Sequence, residues 1–366
     1  MNKKCVLFSV CSLGLGHASR SLPLIKEIIK NNKVIILSDG NALKFLKEEL
    51  KNKKKITFYE KIKKYPKLEE GTSFWKYNYY LVKDSILTYI AIKKENKQTK
   101  EICQKEKVDL IISDGNYGSF SKELPSFLIA HQIEFQIKNP FYKKISSLFN
   151  KNIFNKYDKI IIPDYGGEEN ISGKLSHNSL AKRIPHVYVG VLSQFKKVKL
   201  KNKIKYLVII SGFLHEHKEE FFLNALKELK KKKGKKVFIM GDYDKNYKKR
   251  IGKEIEVYSS FRGLDKNKLF NSSEIIISRT GYTTLMDLIE VGKKAILIPT
   301  PNQSEQEYLG EYHKNKNFFN IIKNQKEIKI DFKKLKIPEA KLHKTKESVK
   351  LIIKEINKII PRKNGI

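Results

Sequence analysis

Residues 5–20, CVLFSVCSLGLGHASR, decide the fold, because a mostly apolar run passes directly into a glycine loop and a polar segment. The run Cys5–Val10 predicts a buried β-strand, and the segment Ser19–Lys30 predicts a helix. Gly14 and Gly16 let the connecting backbone turn sharply and approach a ligand closely. A strand, a glycine loop and a helix in this order open a doubly wound α/β lobe, and such loops bind phosphate groups.

The same alternation of apolar runs and amphipathic segments continues along the chain and predicts two doubly wound lobes on parallel sheets. In the first half, strands are expected at Cys5–Val10, Val34–Leu37, Ile56–Tyr59, Leu110–Ser113, Phe127–Ala130 and Ile160–Pro163, and helices at Ser19–Lys30, Ala42–Lys51, Phe74–Lys97 and Pro140–Phe154. In the second half, strands are expected at Tyr206–Ile210, Val237–Met240, Ile255–Tyr258, Ile275–Ser278 and Ala295–Pro299, and helices at Lys218–Lys232, Lys266–Asn271, Thr283–Glu290 and Glu305–Lys314.

The boundary between the lobes is expected in the lysine-rich stretch Val191–Lys205, which has no periodicity. Such a stretch suits an exposed connection better than a packed element. We therefore predict a first lobe over residues 1–192 and a second over 193–366. The last helical pattern, Glu339–Ile360, can pack on either lobe.

The charge of the chain is strongly positive: 75 Lys and Arg against 39 Asp and Glu give a formal net charge of +36. An excess of this size favours polyanionic partners or anionic membrane surfaces. A general enrichment in lysine explains it equally well. No nucleic-acid-binding module is present, so we expect no nucleic-acid partner, although a basic nucleic-acid-binding protein stays an alternative.

The cysteines and the apolar segments indicate the cellular environment of the protein. Cys5, Cys11 and Cys103 have neither disulfide nor metal-ligand spacing, so we expect no metal and a reducing, cytoplasmic environment. The apolar start is interpreted as the first strand, because no cleavage site follows it. No run approaches the ~18 apolar residues of a membrane span, so any membrane contact is expected to be peripheral.

His17 is the first candidate for chemistry. An imidazole just after the first strand faces the ligand crevice of an open α/β sheet, and it is suited to proton transfer near neutral pH. The loop is not a dinucleotide fingerprint, since Ser19 stands at the third glycine position. The alternative is that Gly14 and Gly16 serve only a tight turn.

A second polar junction, Ser278–Asp287 (SRTGYTTLMD), follows a strand of the second lobe. Free backbone N–H groups at the start of the next helix, with the hydroxyls of Thr280, Thr283 and Thr284, can hold a diphosphate without a metal. Asp287, about one turn later, can accept hydrogen bonds from a ribose diol. Ordinary helix capping is the alternative.

One strand later, Pro299–Tyr308 (PTPNQSEQEY) forms another polar loop entering a helix. Gln306 and Glu307 can bind sugar hydroxyls there. Two adjacent strand ends thus supply contacts for diphosphate, ribose and hexose in chain order.

These segments resemble glycosyltransferase family 28, whose bacterial example adds N-acetylglucosamine to a lipid-linked cell-wall precursor. The glycine loop ending in histidine matches Gly14, Gly16 and His17, the donor loop matches Thr280, Gly281, Thr284 and Asp287, and the paired glutamines match Gln306 and Glu307. Asp287 replaces a glutamate of that enzyme and Glu307 replaces its second glutamine. These departures concern the acceptor and the sugar rather than the transfer class.

The resemblance implies a GT-B fold and inverting transfer of a hexose, with N-acetylglucosamine from UDP as the expected donor and no cofactor. It implies roles for Asp114 and His131 on the acceptor side, for Arg279 at the departing diphosphate, and for Ser211 and Gly212 near the donor phosphate. For Asp114 and His131 the alternatives are a turn and a strand cap. A sugar-nucleotide epimerase of the same fold stays an alternative function.

The resemblance and the charge together predict a lipid-linked acceptor presented at the inner face of the cell membrane. The expected docking patch is Phe74–Lys97, where Trp75, Tyr77, Tyr79, Tyr80 and Leu81 stand beside Lys76 and Lys83. A core helix with a crowded aromatic face is the alternative.

Overall fold

The computed structural model describes residues 4–62, 74–135, 139–201, 203–210, 216–242, 245–261, 264–316, 319–326, 328, 335 and 344–359, with the backbone alone for 74–86 and 216. Two seven-stranded sheets account for all the strands of these residues, and helices cover both. The prediction of an α/β protein built on two doubly wound lobes is confirmed.

The first lobe is a fully parallel sheet in the order β3-β2-β1-β4-β5-β6-β7. Its strands are β1 Cys5–Val10, β2 Lys33–Ser38, β3 Ile56–Glu60, β4 Leu110–Asp114, β5 Ser126–Ile129, β6 Lys159–Ile162 and β7 His186–Tyr188. Its helices are α1 Gly16–Ile28, α2 Gly40–Leu50, α3 Phe74–Glu106 and α4 Pro140–Phe154, with short 3₁₀ turns at Gly173–Leu175 and Ala181–Arg183. The central strands are apolar on both faces because helices cover both.

The second lobe repeats this architecture in the order β10-β11-β9-β8-β12-β13-β14, parallel except for the antiparallel edge pair β10 and β11. Its strands are β8 Ile204–Ile209, β9 Lys236–Ile239, β10 Lys248–Ile251, β11 Ile255–Tyr258, β12 Ser273–Arg279, β13 Lys294–Ile298 and β14 Asn320–Ile321. Its helices are α5 Glu216–Lys230, α6 Lys266–Asn271, α7 Tyr282–Val291, α8 Ser304–Lys316 and α9 Thr345–Ile359.

The differences from the expected elements lie at edges and helix ends. The short edge strands β7, β10 and β14 were not expected, because none of them is a continuous apolar run. Helix α1 begins at Gly16 rather than Ser19, which places His17 in its first turn. That shift of three residues decides which side chains share a face.

The two lobes touch along one side. Helix α1 packs on both α7 and α9, and Lys159 of β6 forms a 2.7 Å ion pair with Glu355 of α9, so the last helix lies against the first lobe. Farther out, Lys266 of α6 pairs with Glu49 of α2 at 2.8 Å. Because the carboxyl ends of parallel strands share one sheet edge, these contacts enclose a cleft between the loops that follow β1, β4, β5, β12 and β13.

Candidate active site

The glycine loop after β1 and the polar junction after β12 meet across the cleft. A Cβ atom added to Gly16 would stand 2.8 Å from Oγ1 of Thr283, so only glycine allows this approach. Gly14 has a φ of +78°, a left-handed conformation that also favours glycine. The two segments predicted to carry chemistry therefore face each other.

Behind this contact, Asp114 at the end of β4 is fully buried and bound to Arg20 and Ser21 of α1. Arg20 Nε donates to its two carboxylate oxygens at 3.1 and 2.9 Å, Arg20 Nη2 donates to Oδ1, and Ser21 Oγ donates to Oδ2 at 2.6 Å. Burial acts to raise the pKa of Asp114, but the guanidinium outweighs it and holds that pKa well below its ordinary value. Asp114 is thus a permanent carboxylate with no capacity left for a substrate proton.

His17 Nδ1 lies 2.8 Å from Asp114 Oδ1. Arg20 Nη2 lies 3.0 Å from the same nitrogen, but it already donates to Asp114 Oδ1. Because an ionised carboxylate only accepts, Nδ1 carries the hydrogen and Nε2 keeps its lone pair. Among the described residues none is hydrogen-bonded to Nε2, and about 20% of the side chain is exposed to the cleft. Burial, aided by Arg20, lowers the pKa of His17 below 6.5, so the imidazole is neutral at pH 7.

His131, just beyond β5, has both ring nitrogens occupied. Arg20 Nη1 donates to Nδ1 at 2.8 Å, which leaves the ring hydrogen on Nε2, and Nε2 donates to Glu305 Oε1 of α8 at 3.1 Å. The ring also stacks on Tyr282, with 4.3 Å between centroids. Both ring nitrogens of His131 are thus engaged, whereas Nε2 of His17 is not.

The start of α7 forms the opposite wall. Gly281 is the N-cap and makes no side-chain cap, and Thr283 and Thr284 are half-buried in the first turn. The first N–H groups of a helix have no acceptor within it and carry partial positive charge. This wall suits an anionic group, and its contact with a diphosphate stays a prediction. Thr280, by contrast, is fully buried and donates to the Gln306 carbonyl at 2.9 Å, so it fixes one loop to the next.

Two side chains predicted to contact the donor, Arg279 and Gln306, point into the protein instead. Arg279 is 3% exposed; it donates to the carbonyls of Pro299 and His217 and to Gln325, and it stacks on Phe221, so in this structure it braces the β12 end rather than reaching a diphosphate.

Gln306 is 6% exposed and its amide is bound within its own loop. Its Oε1 accepts from Thr300 N and Oγ1, both at 3.0 Å, and its Nε2 donates to Gln303. Glu307 is exposed and accepts from Asn302 N. The acid of this helix that reaches the first lobe is Glu305, one residue before the predicted pair.

Asp287 lies in the second turn of α7, where its carboxyl oxygen Oδ1 accepts from Ser193 Oγ at 2.5 Å. It is 8% exposed, and burial raises its pKa to about 8, against the opposing effect of Ser193. Its contact with a ribose stays a prediction, and this contact requires the carboxylate to exchange Ser193 for the ligand. Ser211 and Gly212 lie outside the described residues.

Arg20 and Glu305 are the cleft residues that the sequence did not indicate. Helical spacing is the signal for Arg20: once α1 begins at Gly16, His17, Arg20 and Ser21 at positions i, i+3 and i+4 share one face. Glu305 has no such signal, because its partner belongs to the other lobe. No cluster of three or more potential metal ligands occurs within the described part of the chain.

Comparison with known proteins indicates the class of enzyme. Residues 216–364 match the family model described as the glycosyltransferase family 28 C-terminal domain. An uncharacterized glycosyltransferase of Methanosarcina acetivorans is 25% identical over 338 residues, covering 82% of this chain and 81% of its own.

Two further proteins extend the comparison. The UDP-N-acetylglucosamine–N-acetylmuramyl-(pentapeptide) pyrophosphoryl-undecaprenol N-acetylglucosamine transferase of Pediococcus pentosaceus is 22% identical over 246 residues, covering 64% of this chain and 62% of its own. The crystal structure of Acinetobacter baumannii MurG superposes with a TM-score of 0.56 at 13% identity, covering 97% of this chain and all of that one.

The chain is a glycosyltransferase with the two-lobed GT-B fold. Its second lobe belongs to glycosyltransferase family 28. An enzyme with a defined cleft accounts for the site, so the alternative of a basic nucleic-acid-binding protein is set aside.

Proposed function

We propose that this enzyme transfers a hexose, with inversion, from a nucleotide diphosphate sugar on the second lobe to a hydroxyl acceptor on the first. One observation carries the proposal: His17, oriented by Asp114, keeps its Nε2 lone pair in the first turn of α1, and its neighbour Gly16 lies against Thr283 at the start of α7. A base and a helix start suited to an anion thus lie close together, as transfer from a nucleotide diphosphate requires.

In this mechanism, His17 Nε2 takes the proton of the acceptor hydroxyl. The oxygen then forms a bond to the anomeric carbon, the bond from that carbon to the phosphate oxygen breaks, and its electron pair leaves with the nucleotide diphosphate. The first-turn N–H groups of α7 and the hydroxyls of Thr283 and Thr284 stabilise the charge that develops there. Asp114 stabilises the imidazolium that His17 becomes. We propose that no metal takes part.

We propose UDP-N-acetylglucosamine as the donor and a lipid-linked saccharide as the acceptor. Support comes from the Pediococcus relative, whose name states that donor and a pyrophosphoryl-undecaprenol acceptor. The departures at Asp287 and Glu307 leave the sugar and the acceptor as the parts to be tested first.

A lipid-linked acceptor calls for a surface that meets the membrane, and α4 offers one beside the cleft. Phe141, Ile145 and Leu148, at positions i, i+4 and i+7, are 67%, 48% and 62% exposed, and Lys144 is exposed between them. The helix follows the loop that carries His131, so its first turn lies at the cleft edge of the sheet. Exposed apolar residues beside lysines suit an anionic bilayer surface. The side chains of Phe74–Lys97 expected to dock lie largely outside the described residues.

None of the described helices has an apolar stretch long enough to cross a bilayer. The proposed membrane contact is therefore peripheral and formed by the α4 face.

The first experiment is a thermal-shift panel of uridine, guanosine and thymidine diphosphate sugars. A ligand that binds only the folded state raises the unfolding temperature, so UDP-N-acetylglucosamine should give the largest shift. Stabilisation by another donor would replace the proposed sugar or nucleotide.

The second experiment separates transfer from epimerisation. A transferase should release nucleotide diphosphate in proportion to added acceptor, in buffer containing EDTA as well as without it. Conversion of the sugar nucleotide without acceptor would favour the epimerase alternative, and loss of activity in EDTA would contradict a metal-independent reaction.

A further inference from the structure

A continuous chain of hydrogen bonds joins the second lobe to His17. It runs from Glu305 of α8 to His131, from His131 to Arg20, from Arg20 to Asp114, and from Asp114 to His17, with donor–acceptor distances of 3.1, 2.8, 2.9 and 2.8 Å. Glu305 is the one member that belongs to the second lobe.

Each link has a fixed direction, because Arg20 only donates and the carboxylates only accept. Because Arg20 Nη1 donates to Nδ1 of His131, the ring hydrogen stays on Nε2, which donates it in a hydrogen bond to Glu305. His131 lies close to Glu305 and outweighs the effect of burial, so the pKa of Glu305 is lowered and its carboxylate is ionised at neutral pH. The same guanidinium presents Nε to Asp114, whose Oδ1 holds the hydrogen of His17 on Nδ1.

Four elements supply groups around the imidazoles of His17 and His131. The facing charged or titratable groups are Arg20 from α1, Asp114 from β4, Tyr282 from α7 and Glu305 from α8. Tyr282 stacks on His131 and donates to the Pro163 carbonyl at 2.8 Å, so the ring of His131 is clamped by a second contact between the lobes.

Arg20 and Asp114 are both essentially buried, and their opposite charges compensate each other. One side of the guanidinium donates to Asp114, whereas Nη1 on the other side has His131 as its acceptor. If the lobes separate, His131 loses Glu305 and Tyr282 together. The ring is then free to turn, and Nη1 of the buried guanidinium loses its acceptor. An unpaired buried donor costs free energy, and Arg20 regains an acceptor by donating from Nη2 to His17 Nδ1, 3.0 Å away, once the hydrogen of His17 has moved to Nε2.

We propose that Glu305 is a positioning residue for the base: through His131 and Arg20 it holds the Asp114–His17 pair in the arrangement that leaves Nε2 of His17 ready for the acceptor. Contact between the lobes and orientation of the base are thereby coupled. This inference rests on the proposed role of His17, and it assigns Glu305 a task distinct from binding the donor sugar.

The test is nitrogen NMR of the full-length protein labelled in its histidines, of which the chain has eight. Ring nitrogen shifts distinguish the two neutral tautomers and the imidazolium, and single His substitutions assign His17 and His131. The variants are Glu305→Gln and Glu305→Asp. Glu311→Gln is the matched control, since Glu311 lies on the same helix in an exposed 2.7 Å ion pair with Lys323.

In the unaltered protein His17 should be the Nδ1–H tautomer and His131 the Nε2–H tautomer. Glu305→Gln should shift the ring nitrogens of both, and mix the tautomers of His17, which lies four hydrogen bonds away from Glu305. Glu305→Asp should restore part of the signal, and Glu311→Gln should change neither ring.

Kinetics complete the test. Glu305→Gln should lower kcat about 10- to 100-fold, the usual effect of losing a residue that orients a reacting group, with the donor KM unchanged. A raised donor KM at unchanged kcat would make Glu305 a sugar ligand and overturn the proposal, as would an unaltered His17 in Glu305→Gln. An Nε2–H tautomer of His17 in the unaltered protein would instead overturn the proposed base itself.

Discussion

Gly115 lies so close under His17 that a Cβ atom at position 115 would stand 2.6 Å from Cε1 of the imidazole. The backbone there has a φ of +73°, a conformation that side chains other than glycine rarely adopt. The loop after β4 therefore supplies the carboxylate of Asp114 and, in the next residue, the space in which His17 sits. One glycine sets the position of the base.

Gly115→Ala is expected to displace His17 and lower kcat about 100-fold, the scale of a misplacement near 1 Å. The left-handed backbone should also cost about 1–2 kcal/mol of stability. Gly167→Ala is the control, because Gly167 is exposed and has open space around an added Cβ. Steady-state kinetics and thermal unfolding measure the two effects, and an unchanged kcat would contradict the placement of His17.

His17→Ala is expected to lower kcat by about 10²–10⁴-fold, the usual contribution of a general base. His131→Ala should have a smaller effect, since both ring nitrogens of His131 are engaged by Arg20 and Glu305. His186→Ala, on the edge strand β7, serves as the control. If His17→Ala and His131→Ala both keep full kcat, neither imidazole is the base.

The pH dependence of kcat/KM should follow His17. Its pKa is lowered below 6.5 by burial and by Arg20, so the base stays unprotonated as pH falls from 8 to 6.5 and is lost only at lower pH. The expected profile is flat near neutrality with an acid limb centred below 6.5. Unfolding temperatures at each pH separate this limb from acid denaturation. A limb centred at or above 6.5 would point to another group.

The order of strands and helices could be predicted because each central strand is a continuous apolar run, as Cys5–Val10 illustrates, and each helix has its own period. The site could be predicted in part. His17, His131 and Asp114 follow strand ends and come together at one sheet edge. Arg20 depended on the helix start at Gly16. Glu305 depended on how two lobes close, which local periodicity does not encode.

The inward orientation of Arg279 and Gln306 could not be predicted for a similar reason. Both lie at strand-to-helix junctions, where ligand contacts and loop-bracing contacts use the same residue types. Which of the two a side chain makes depends on neighbours far along the chain, such as Gln325 for Arg279. Residue type and spacing alone do not separate these roles.

Asp287→Asn is expected to stabilise the protein, and increasingly so as pH rises. The folded-state pKa of about 8 lies above the ordinary value of 3.8, so the folded state must keep a proton that the unfolded state releases. Stability from this group is full below about pH 4 and falls by up to about 1.4 kcal/mol per pH unit until about pH 8. Unfolding temperatures at pH 5 and pH 8 measure the gain, and a larger gain at pH 5 would contradict the burial of this carboxyl.

Asp287→Ala tests the predicted ribose contact separately. The loss of one hydrogen-bonded carboxyl group should weaken donor binding by roughly 1–3 kcal/mol in calorimetry. Ser193→Ala is the comparison, since it removes the partner of Asp287 while leaving the carboxylate for the ligand. Donor affinity that is unchanged in Asp287→Ala would remove Asp287 from the site.

Binding to vesicles should depend on the α4 face and on salt. Lysines near an anionic surface contribute ~1 kcal/mol each and are screened within a Debye length, so sedimentation with acidic vesicles should be strong at low salt and weak at high salt. Ile145→Asp with Leu148→Asp should reduce it, because both side chains are exposed and their replacement leaves the core intact. Leu223→Asp, at a 53% exposed position on α5 of the second lobe, should not reduce it.

Equal, salt-insensitive binding to acidic and neutral vesicles, or binding to neither, would favour a soluble acceptor. Loss of binding in Leu223→Asp alone would place the contact on the other lobe.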